Sequence, residues 1–379
     1  MIAASHSGLV VAINISSSAK ENNLSKNIIH SPELLWSAHL SNRIESSPIA
    51  NFEGTIIYVC DYSGLFYALE TMTGRIVWQQ STGEVIKCTP TLFNGTCLVD
   101  KLVITGSYDH HLYCWNQYSG ELRWKINPAS SAIFASVAVI VDNYDIVDNN
   151  NKIQIEPRLL CATLNGTITN VGLSSGHIYW RRVISPGPIF SSPIIHNTTT
   201  SCGSAIIGLT HTNIIMAISL SDGTSLWTTP VDGPIFSSPS TFISSIFPEQ
   251  CMAIYSTHNC YSVICINLNT GKLVWKFTTK SVVYSSCFFI HHHDPSTLVA
   301  IVVESDSTLH LLDVTTGKPI SLHSKLFEKD STSHYKIIHT DQYRLQTNGA
   351  KVFSSPIYHR GKLFIGSRDS CLHCFSFND

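Results

Sequence analysis

The stretch ALETMTGRIVW, at residues 68–78, recurs four more times along the chain. The other copies are CWNQYSGELRW (114–124), NVGLSSGHIYW (170–180), AISLSDGTSLW (217–227) and CINLNTGKLVW (265–275). In every copy a glycine precedes a tryptophan by four residues, and successive tryptophans are 46, 56, 47 and 48 residues apart. This period is typical of the four-stranded blades of propellers, so the repeat predicts an all-β fold.

Two weaker copies extend the repeat in both directions. LLDVTTGKPIS, at 311–321, keeps Gly317 but has Ser321 in the place of the tryptophan, which predicts a degenerate blade. An N-terminal copy keeps Trp36, while an Asn/Ser/Lys-rich insertion around residues 16–30 replaces its turn. The predicted fold is therefore a β-propeller of four-stranded antiparallel blades that occupies most of the chain.

The repeated glycine and tryptophan predict how the blades are built. Glycine supplies the positive φ that a tight hairpin needs. A tryptophan on the outer strand can dock on the neighbouring blade, and its indole N–H can reach a backbone carbonyl. The predicted docking residues are Trp36, Trp78, Trp124, Trp180, Trp227 and Trp275, with the turn glycines Gly74, Gly120, Gly176, Gly223, Gly271 and Gly317.

A second signature follows about ten residues after the tryptophan position and leads the next unit. It reads IESSP (44–48), IKCTP (86–90), IFASV (133–137), IFSSP (189–193 and 235–239), VYSSC (283–287) and VFSSP (352–356). Each copy precedes a run of β-branched and apolar residues, which is typical of a strand. The small serines are expected to let the innermost strands crowd together, where larger side chains would not fit.

Composition and charge exclude several classes of protein. Charged residues make up 13% of the 379 residues, against roughly 25% in an average globular chain, while hydrophobic residues make up 44%. The net charge is -2 and the pI is about 6.8. Such a chain has no basic field for phosphates, so neither nucleic acid nor an anionic membrane is expected as its main partner.

The cysteines and the N-terminus indicate a cytoplasmic protein. Twelve cysteines are spread through a long chain, and several stand inside apolar, strand-like runs, where a free thiol packs as a small hydrophobe. The N-terminus has no basic region, and its apolar stretch is interrupted at residues 5–8, which makes it a poor signal peptide. No stretch reaches the roughly 20 apolar residues of a membrane span.

The repeat resembles the PQQ-like repeat, A-x-D-x-x-T-G-x-x-x-W, through Ala68, Glu70, Thr73, Gly74 and Trp78. Within that superfamily, IFSSP, VFSSP and GSRDSCLHCF (366–375) look most like the C-terminal propeller of the β-alanine-activating enzyme family, also called aminoadipate-semialdehyde dehydrogenase or acyl-CoA synthetase family member 4. The resemblance implies an acid-activating ligase as the parent enzyme. Its adenylate-forming and phosphopantetheine carrier domains find no counterpart in this chain, so no ATP chemistry transfers to any residue here.

The chain begins inside a repeat and ends without a final Trp strand, which suggests a fragment or a truncated gene model. Seven closed blades and eight blades both remain possible, with eight expected in the full-length parent. The predicted organisation is one propeller domain over 1–379. It has a partial first blade (1–45), complete blades (46–320), an insertion (321–349) and a partial last blade (350–379).

The sharpest catalytic alternative is a PQQ-dependent oxidoreductase. Members of that class carry adjacent cysteines, a stacking Trp and an acidic Ca²⁺ cluster, whereas this sequence has no Cys-Cys pair. Its acidic residues near the blade turns are Asp61, Asp109, Asp306 and Asp369, one per blade, and are better understood as residues that cap hairpins. We therefore predict no PQQ and no other cofactor.

Three further groups of metal-binding or polar residues receive structural interpretations. Cys371 and Cys374 form a CxxC, but residues three apart on a strand point to opposite faces, so shared metal ligation is not expected. The histidines at 291–293 precede Asp-Pro and indicate a polar loop, and His110 and His111 are expected to be solvated in a turn. No catalytic residue, cofactor ligand or metal ligand is predicted.

Two insertions break the period, and propeller insertions usually lie on one face where partners bind. The Asn-rich insertion at 142–157 is expected to be an untethered loop, whereas the one at 321–349 has enough apolar residues to order. The sequence thus predicts a noncatalytic scaffold or interaction module that serves an acyl- or amino-acid-activating enzyme. Its expected partner is a protein or a carrier domain.

Overall fold

The computed structural model describes residues 1–15, 33–95, 101–140, 156–196, 203–243, 250–291, 298–320, 326–329, 335–337, 343–344, 350–359, 361–369 and 371–377. Within these ranges the chain forms 32 strands and no helix. Consequently, no described segment is a helix long and apolar enough to cross a membrane.

The strands form eight antiparallel sheets, which we number as blades 1–8. Blade 1 contains β1 (Ile2–Ala4), β2 (Leu9–Asn14) and β3 (Glu33–His39), and blade 2 contains β4 (Ile49–Ala50), β5 (Ile56–Cys60), β6 (Leu65–Glu70) and β7 (Ile76–Ser81). Blade 3 contains β8 (Thr91–Asn94), β9 (Lys101–Gly106), β10 (Leu112–Asn116) and β11 (Leu122–Ile126). Blade 4 contains β12 (Ala138–Ile140), β13 (Arg158–Ala162), β14 (Thr167–Gly172) and β15 (Ile178–Val183). Blade 5 contains β16 (Ile194–His196), β17 (Ser204–Leu209), β18 (Ile214–Ser219) and β19 (Ser225–Pro230), and blade 6 contains β20 (Ser240–Ile243), β21 (Cys251–Thr257), β22 (Ser262–Asn267) and β23 (Leu273–Thr278). Blade 7 contains β24 (Phe288–His291), β25 (Leu298–Val303), β26 (Thr308–Asp313) and β29 (Tyr343–Arg344). Blade 8, in spatial order, contains β30 (Ile357–His359), β31 (Lys362–Gly366), β32 (Leu372–Phe377), β27 (Leu326–Lys329) and β28 (Tyr335–Ile337).

The fold is an all-β, eight-bladed propeller of antiparallel blades, most of them four-stranded. The chain divides into two compact units. Unit 1 contains Met1–Thr163 and Thr169–Arg181, and unit 2 contains Leu164–Ile168 and Arg182–Asp379. Blades 1–3 lie in unit 1 and blades 5–8 in unit 2, while blade 4 contributes residues to both.

The core of unit 1 lies between neighbouring blades. Tyr58, Phe66 and Trp78 of blade 2 pack with Tyr113 and Trp115 of blade 3. The Phe66 ring meets Trp78 edge-on at a centroid distance of 5.4 Å, and Tyr113 stacks on Trp115 at 5.1 Å. Large aromatic side chains that are buried against a neighbouring sheet contribute much of the hydrophobic stabilisation.

The turn glycines have the conformation that the repeat predicts. All six have φ between 68° and 73°, in the left-handed region that favours glycine. The N–H of Gly74 donates to the carbonyl of Glu70 at 2.8 Å, and Gly120 repeats this bond with Asn116 at 3.0 Å. The hairpin between the third and fourth strands is therefore closed in the same way from blade to blade.

The tryptophan of one blade packs directly on the turn glycine of the next. A Cβ added to Gly74 would lie 2.5 Å from the Trp36 ring, so any larger residue would displace the indole. The other pairs with this contact are Trp78–Gly120, Trp124–Gly176, Trp227–Gly271 and Trp275–Gly317. Four indole N–H groups also donate to carbonyls of the next blade: Trp36 to Thr71 (2.8 Å), Trp78 to Gln117 (2.9 Å), Trp124 to Leu173 (2.9 Å) and Trp275 to Val314 (2.7 Å).

A small residue stands opposite each of these tryptophans on the third strand. The cross-strand partners are Ala12, Ala68, Cys114, Ala217 and Cys265. A register shift follows each partner, so that two residues of the Trp strand oppose one of the third strand. This arrangement gives the indole room to lean onto the next blade, and it accounts for the buried Cys114 and Cys265.

The blade count settles a point that the sequence left open. The chain itself forms eight sheets, whereas the sequence assigned eight blades to a longer parent. The copy that carries Trp36 forms the three strands of blade 1. Ser321, the insertion at 16–30 and residues 142–155 of the Asn-rich insertion lie outside the described residues.

The insertion at 321–349 contributes strands to two blades. β29 pairs with β26 in blade 7, the blade predicted to be degenerate. β27 pairs with β32 in blade 8, with Leu326 opposite Phe377, and β28 pairs with β27. The described residues of this segment therefore form strands, and β27 and β29 take the place that Trp strands hold elsewhere.

The substitution Trp124→Ala tests the docking contact. Trp124 is 8% exposed, and its removal leaves a cavity against Gly176 and an unpaired Leu173 carbonyl. We expect the free energy of unfolding to fall by about 3–5 kcal/mol, measured by denaturant titration. Phe52→Ala, at a side chain that is 85% exposed, is the control and should change it by less than about 0.5 kcal/mol. Equal stability of the two variants would contradict the docking role.

Candidate functional site: two side-chain ladders

The run that leads each blade alternates between a buried and a more accessible side chain. Its first residue is at most 5% exposed at Ile44, Ile86, Ile133, Ile189, Ile235, Val283 and Val352. Successive side chains of an extended chain point in opposite directions, so the next residue faces away from that core. The residues presented in this way are Glu45, Lys87, Phe134, Phe190, Phe236, Tyr284 and Phe353.

The turn between the second and third strands lies beside this run. Its N–H groups donate to backbone carbonyls just before the buried residue, as in Tyr62 to Arg43 at 3.0 Å and His258 to Pro234 at 2.9 Å. Tyr108 and Arg368 make the same kind of bond, to Val85 and Lys351. These bonds hold a side chain of the turn against the outward-facing side chain of the leading run. The turn side chains and the outward-facing side chains of successive blades together form a row.

In unit 1 the row is a cationic ladder, which we define as Arg43, Tyr62, Lys87 and Tyr108. The Arg43 guanidinium lies 3.5 Å from the Tyr62 ring centroid, and Lys87 Nζ lies 5.1 Å from the rings of both Tyr62 and Tyr108. A Glu45 carboxylate oxygen is 3.6 Å from Arg43 and another is 4.0 Å from Lys87. Burial lowers the pKa of Lys87, but its hydrogen bond to Tyr62 and the charge of Glu45 outweigh burial, so that this pKa is raised.

In unit 2 the row is an aromatic ladder that extends over blades 5–8. Its centroid distances are Phe190–Phe236 5.3 Å, Phe236–His258 5.1 Å, His258–Tyr284 5.1 Å and Tyr284–Phe353 4.6 Å. The guanidinium of the exposed Arg368 completes the ladder, 4.3 Å from the Phe353 centroid. Phe236 is 38% exposed and the other four rings are half-buried, so the row is most accessible to a partner at Phe236.

Two serines of the leading run fix the backbone beneath the ladders. The hydroxyl of the first serine is hydrogen-bonded to the end of the second strand. Ser237 Oγ accepts the Ser256 N–H at 3.2 Å. Ser354 Oγ accepts the Gly366 N–H at 2.9 Å and donates to the Gly366 carbonyl at 2.8 Å. Cys88 makes the equivalent bonds to Gly106 through its sulfur. The sequence analysis predicted only that these small side chains allow the innermost strands to pack closely, whereas their hydroxyls also form hydrogen bonds with backbone groups.

The second serine links neighbouring blades. Its N–H donates to the matching hydroxyl of the next blade, from Ser192 to Ser238 and from Ser286 to Ser355, each at 3.1 Å. In unit 1, Ser47 donates to Thr89 in the same way at 3.1 Å. The leading runs, and hence the rungs of each ladder, are thereby held in register.

The turn aspartates cap hairpins, as predicted. Asp61, Asp109, Asp306 and Asp369 each accept a hydrogen bond at Oδ1 from a backbone N–H two residues later. Of the neighbouring histidines, His110 is exposed as expected. His111 differs from the expectation, because it is half-buried and its Nδ1 lies 2.8 Å from the Asp109 carbonyl.

Blade 8 contains a group of metal-ligating side chains that the sequence interpretation missed. Donor atoms of Asp369, Cys371 and His373 lie within 4.8 Å of one another, and Cys374 is not part of this group. The sequence considered the CxxC pair and set it aside, but the alternating spacing of residues 369, 371 and 373 was the informative signal. Among the histidines at 291–293, His291 is exposed at the end of β24, and the other two lie outside the described residues.

Blade 7 contains a buried acid–imidazole pair. His310 Nε2 lies 2.5 Å from Glu304 Oε1, and the two side chains are 1% and 0% exposed. Glu304 also accepts the backbone N–H of Lys280 at 3.0 Å and that of Ser281. With almost no exposed surface, the pair offers no access to a substrate, and Glu304 instead accepts the backbone N–H groups of the neighbouring turn.

One cavity of about 380 Å³ opens beside the turn of blade 6 in unit 2. Its lining includes Lys272 but no carboxylate or imidazole; the residues are Phe242, Gln250, Met252, Cys265, Asn267, Thr270, Lys272, Val274, Val314 and Thr315. General acid–base chemistry needs a titrating pair near a substrate, and this cavity has none among its lining residues. The ladders are therefore the stronger candidate for a functional surface.

Removal of the Ser237 hydroxyl tests how the ladder is supported. Ser237 is 5% exposed, and Ser237→Ala leaves the buried Ser256 N–H without its acceptor. We expect the free energy of unfolding to fall by about 1–3 kcal/mol in denaturant titration. The exposed Ser225→Ala is the matched control and should be neutral. A stability loss no larger than that of the control would show that the hydroxyl is dispensable.

Comparison with known proteins places this chain among propellers. A protein-family model described as "Beta-alanine-activating enzyme, beta-propeller" matches residues 1–377. The beta-alanine-activating enzyme of Drosophila melanogaster is 24% identical over 349 residues, which are 88% of this chain and 30% of that enzyme. The chain therefore spans less than a third of this relative.

Two bacterial proteins share the fold over nearly the whole length. The outer membrane protein assembly factor BamB of Yersinia pestis is 20% identical over 91% of this chain and 89% of its own length. The crystal structure of BamB from Moraxella catarrhalis superposes with a TM-score of 0.61 at 14% identity, over 99% of this chain and 91% of that chain. At this identity the likeness shows the fold alone.

Proposed function

Because the chain belongs to the β-propeller family of the beta-alanine-activating enzyme, we propose that it is a noncatalytic interaction module that binds a protein partner through the aromatic ladder of unit 2. In this proposal the partner is the carrier domain of an acyl- or amino-acid-activating enzyme. The chemistry of acid activation would then be carried out by the enzyme that the propeller serves.

The observation that carries the proposal is the aromatic ladder itself. Four ring-to-ring contacts of 4.6–5.3 Å join five side chains from four consecutive blades. Aromatic side chains and arginine are enriched in protein interfaces and supply most of their binding energy. Because the rungs are already stacked and their backbone is fixed by serine hydrogen bonds, they lose little conformational entropy when a partner binds.

The chemistry at the end of the ladder favours a carrier domain among protein partners. Arg368 is exposed, and its guanidinium lies over the Phe353 ring at 4.3 Å from the centroid. A guanidinium can bind a phosphate through two parallel hydrogen bonds. A phosphopantetheine arm offers such a phosphate, followed by a chain that could lie along the rings of Phe353 and Tyr284.

Calorimetric titration with a phosphopantetheinylated carrier domain, and with the same domain before phosphopantetheinylation, tests this proposal. We expect saturable binding by the intact chain, at least tenfold weaker binding by Phe236→Ala, and weaker binding by Arg368→Ala for the phosphopantetheinylated form only. Phe52→Ala, at an exposed side chain outside the ladder, is the control and should bind normally. Thermal melting should show that all variants are folded.

Two outcomes would overturn the proposal. Absence of binding by the intact chain would exclude the carrier domain as the partner. Binding that Phe236→Ala and Phe52→Ala leave equally unchanged would exclude the aromatic ladder as the binding surface.

The rival function is a quinoprotein oxidoreductase, a class that carries adjacent cysteines, and this sequence has no Cys-Cys pair. The four turn aspartates each use Oδ1 to accept a backbone N–H, so one oxygen of each is already committed to its hairpin. We predict that titration with quinone and Ca²⁺, followed by absorbance, gives no stoichiometric complex. A saturable complex near 1:1 would favour the rival function.

A further inference from the structure

The turn of blade 8 carries three different metal-ligating groups on one side. Asp369, Cys371 and His373 alternate along the chain, and their donor atoms lie within 4.8 Å of one another. Cys374 is not among the side chains that converge here. Cys371 is exposed and the other two are half-buried, which leaves the group open to solvent on one side.

The hydrogen bonds of the turn bring the three groups together. Asp369 Oδ1 accepts the Cys371 N–H at 3.0 Å, and the Cys371 Sγ lies 3.7 Å from the Asp369 carbonyl oxygen. His373 Nε2 lies 2.9 Å from Asp369 Oδ2 and 3.1 Å from Ser367 Oγ. Burial raises the pKa of Asp369, but the hydrogen bonds from Ser367 and the Cys371 N–H and the nearby His373 outweigh it, so this pKa is lowered.

The equivalent turn of blade 3 shows which of these residues the fold itself requires. There Asp109 caps the same hairpin, Tyr113 donates its hydroxyl to the aspartate at 2.5 Å, and Lys125 lies 3.7 Å from it. The cap therefore needs the aspartate and a hydrogen-bond donor. In blade 8 His373 takes the place of Tyr113 beside the aspartate, at 2.9 Å from Asp369 Oδ2. An imidazole in that place, together with the thiol at 371, adds metal-binding capacity that the tyrosine of blade 3 does not have.

We propose that Asp369, Cys371 and His373 form a binding site for a divalent transition metal of the Zn²⁺ type. Carboxylate oxygen, thiolate sulfur and imidazole nitrogen are the three ligand types of zinc sites in proteins, at about 2.0–2.3 Å from the ion. Three protein ligands leave a fourth position for water. On binding, the Cys371 thiol loses its proton to solvent. The proton on His373 Nε2, which faces Asp369 Oδ2 at 2.9 Å, must move to Nδ1 or to solvent, so that the Nε2 lone pair faces the metal.

The geometry requires only local adjustment. Ligands bound at these lengths in a tetrahedron are about 3.3–3.8 Å apart, so the most distant of the present donor atoms must approach by about 1 Å. Rotation of the exposed Cys371 side chain can supply this movement. The guanidinium of Arg368, the residue before Asp369, lies 4.3 Å from the Phe353 ring centroid.

Co²⁺ titration of the reduced full chain tests the site. Thiolate-bound cobalt gives a sulfur-to-metal charge-transfer band in the near ultraviolet, which we expect to saturate at one equivalent and to disappear on addition of Zn²⁺. Cys371→Ser should abolish the band, and His373→Gln should weaken Co²⁺ binding at least tenfold. Cys374→Ser, three residues further along the chain, is the matched control and should retain the band.

The contrary results are equally specific. No charge-transfer band in the intact chain would overturn the proposal. A band that persists in Cys371→Ser, or that is lost in Cys374→Ser, would place the cobalt at a different thiol and would also overturn it. Melting of each variant without metal shows whether it is folded, so a loss of the band can be assigned to the missing ligand. This test does not depend on the proposed partner binding.

Discussion

The contact between an indole ring and the turn glycine of the next blade is the constraint on which the rest of this structure depends. It requires a residue without a Cβ at the turn, a small residue opposite the tryptophan, and a carbonyl within reach of the indole N–H. Each requirement fixes one position of the repeat. Because one blade supplies the ring and the next supplies the glycine, the repeats stabilise their neighbours within each unit more than they stabilise themselves.

The sequence predicted this interaction because its residues are rare and regularly spaced. A Gly and a Trp four residues apart, in five copies at the spacing of a blade, are hard to reconcile with any fold but a propeller. It did not predict the strands β27–β29, because their segment lacks the Gly and Trp that mark the other outer strands. Nor did it predict the serine hydrogen bonds, because a sequence does not distinguish a serine chosen for its small size from a serine that accepts a hydrogen bond from a buried N–H.

The ladders were visible in the sequence only as a pattern with no assigned role. An aromatic residue directly after a buried isoleucine, as in Ile235–Phe236, must face away from the core. What the sequence could not show is that turn residues far along the chain, such as His258 and Arg368, would insert between or beside these rings. The group at Asp369, Cys371 and His373 was not predicted either. The CxxC pattern pairs Cys371 with Cys374, which is not part of the group, whereas its other members, Asp369 and His373, are each two residues from Cys371.

The strands contributed by the segment 321–349 have a consequence for the order in which the chain can fold. Blades 2, 3, 5 and 6 are each built from four strands that follow one another, so each can form as soon as its own stretch leaves the ribosome. In blade 8 the outer strands β27 and β28 are synthesised before the three strands they extend, and β29 must return to blade 7 after them. Blades 7 and 8 therefore share one interleaved segment, and neither can be completed until β27–β29 have been partitioned between them. Assembly there depends on contacts between more distant residues, which form more slowly than those of a contiguous blade.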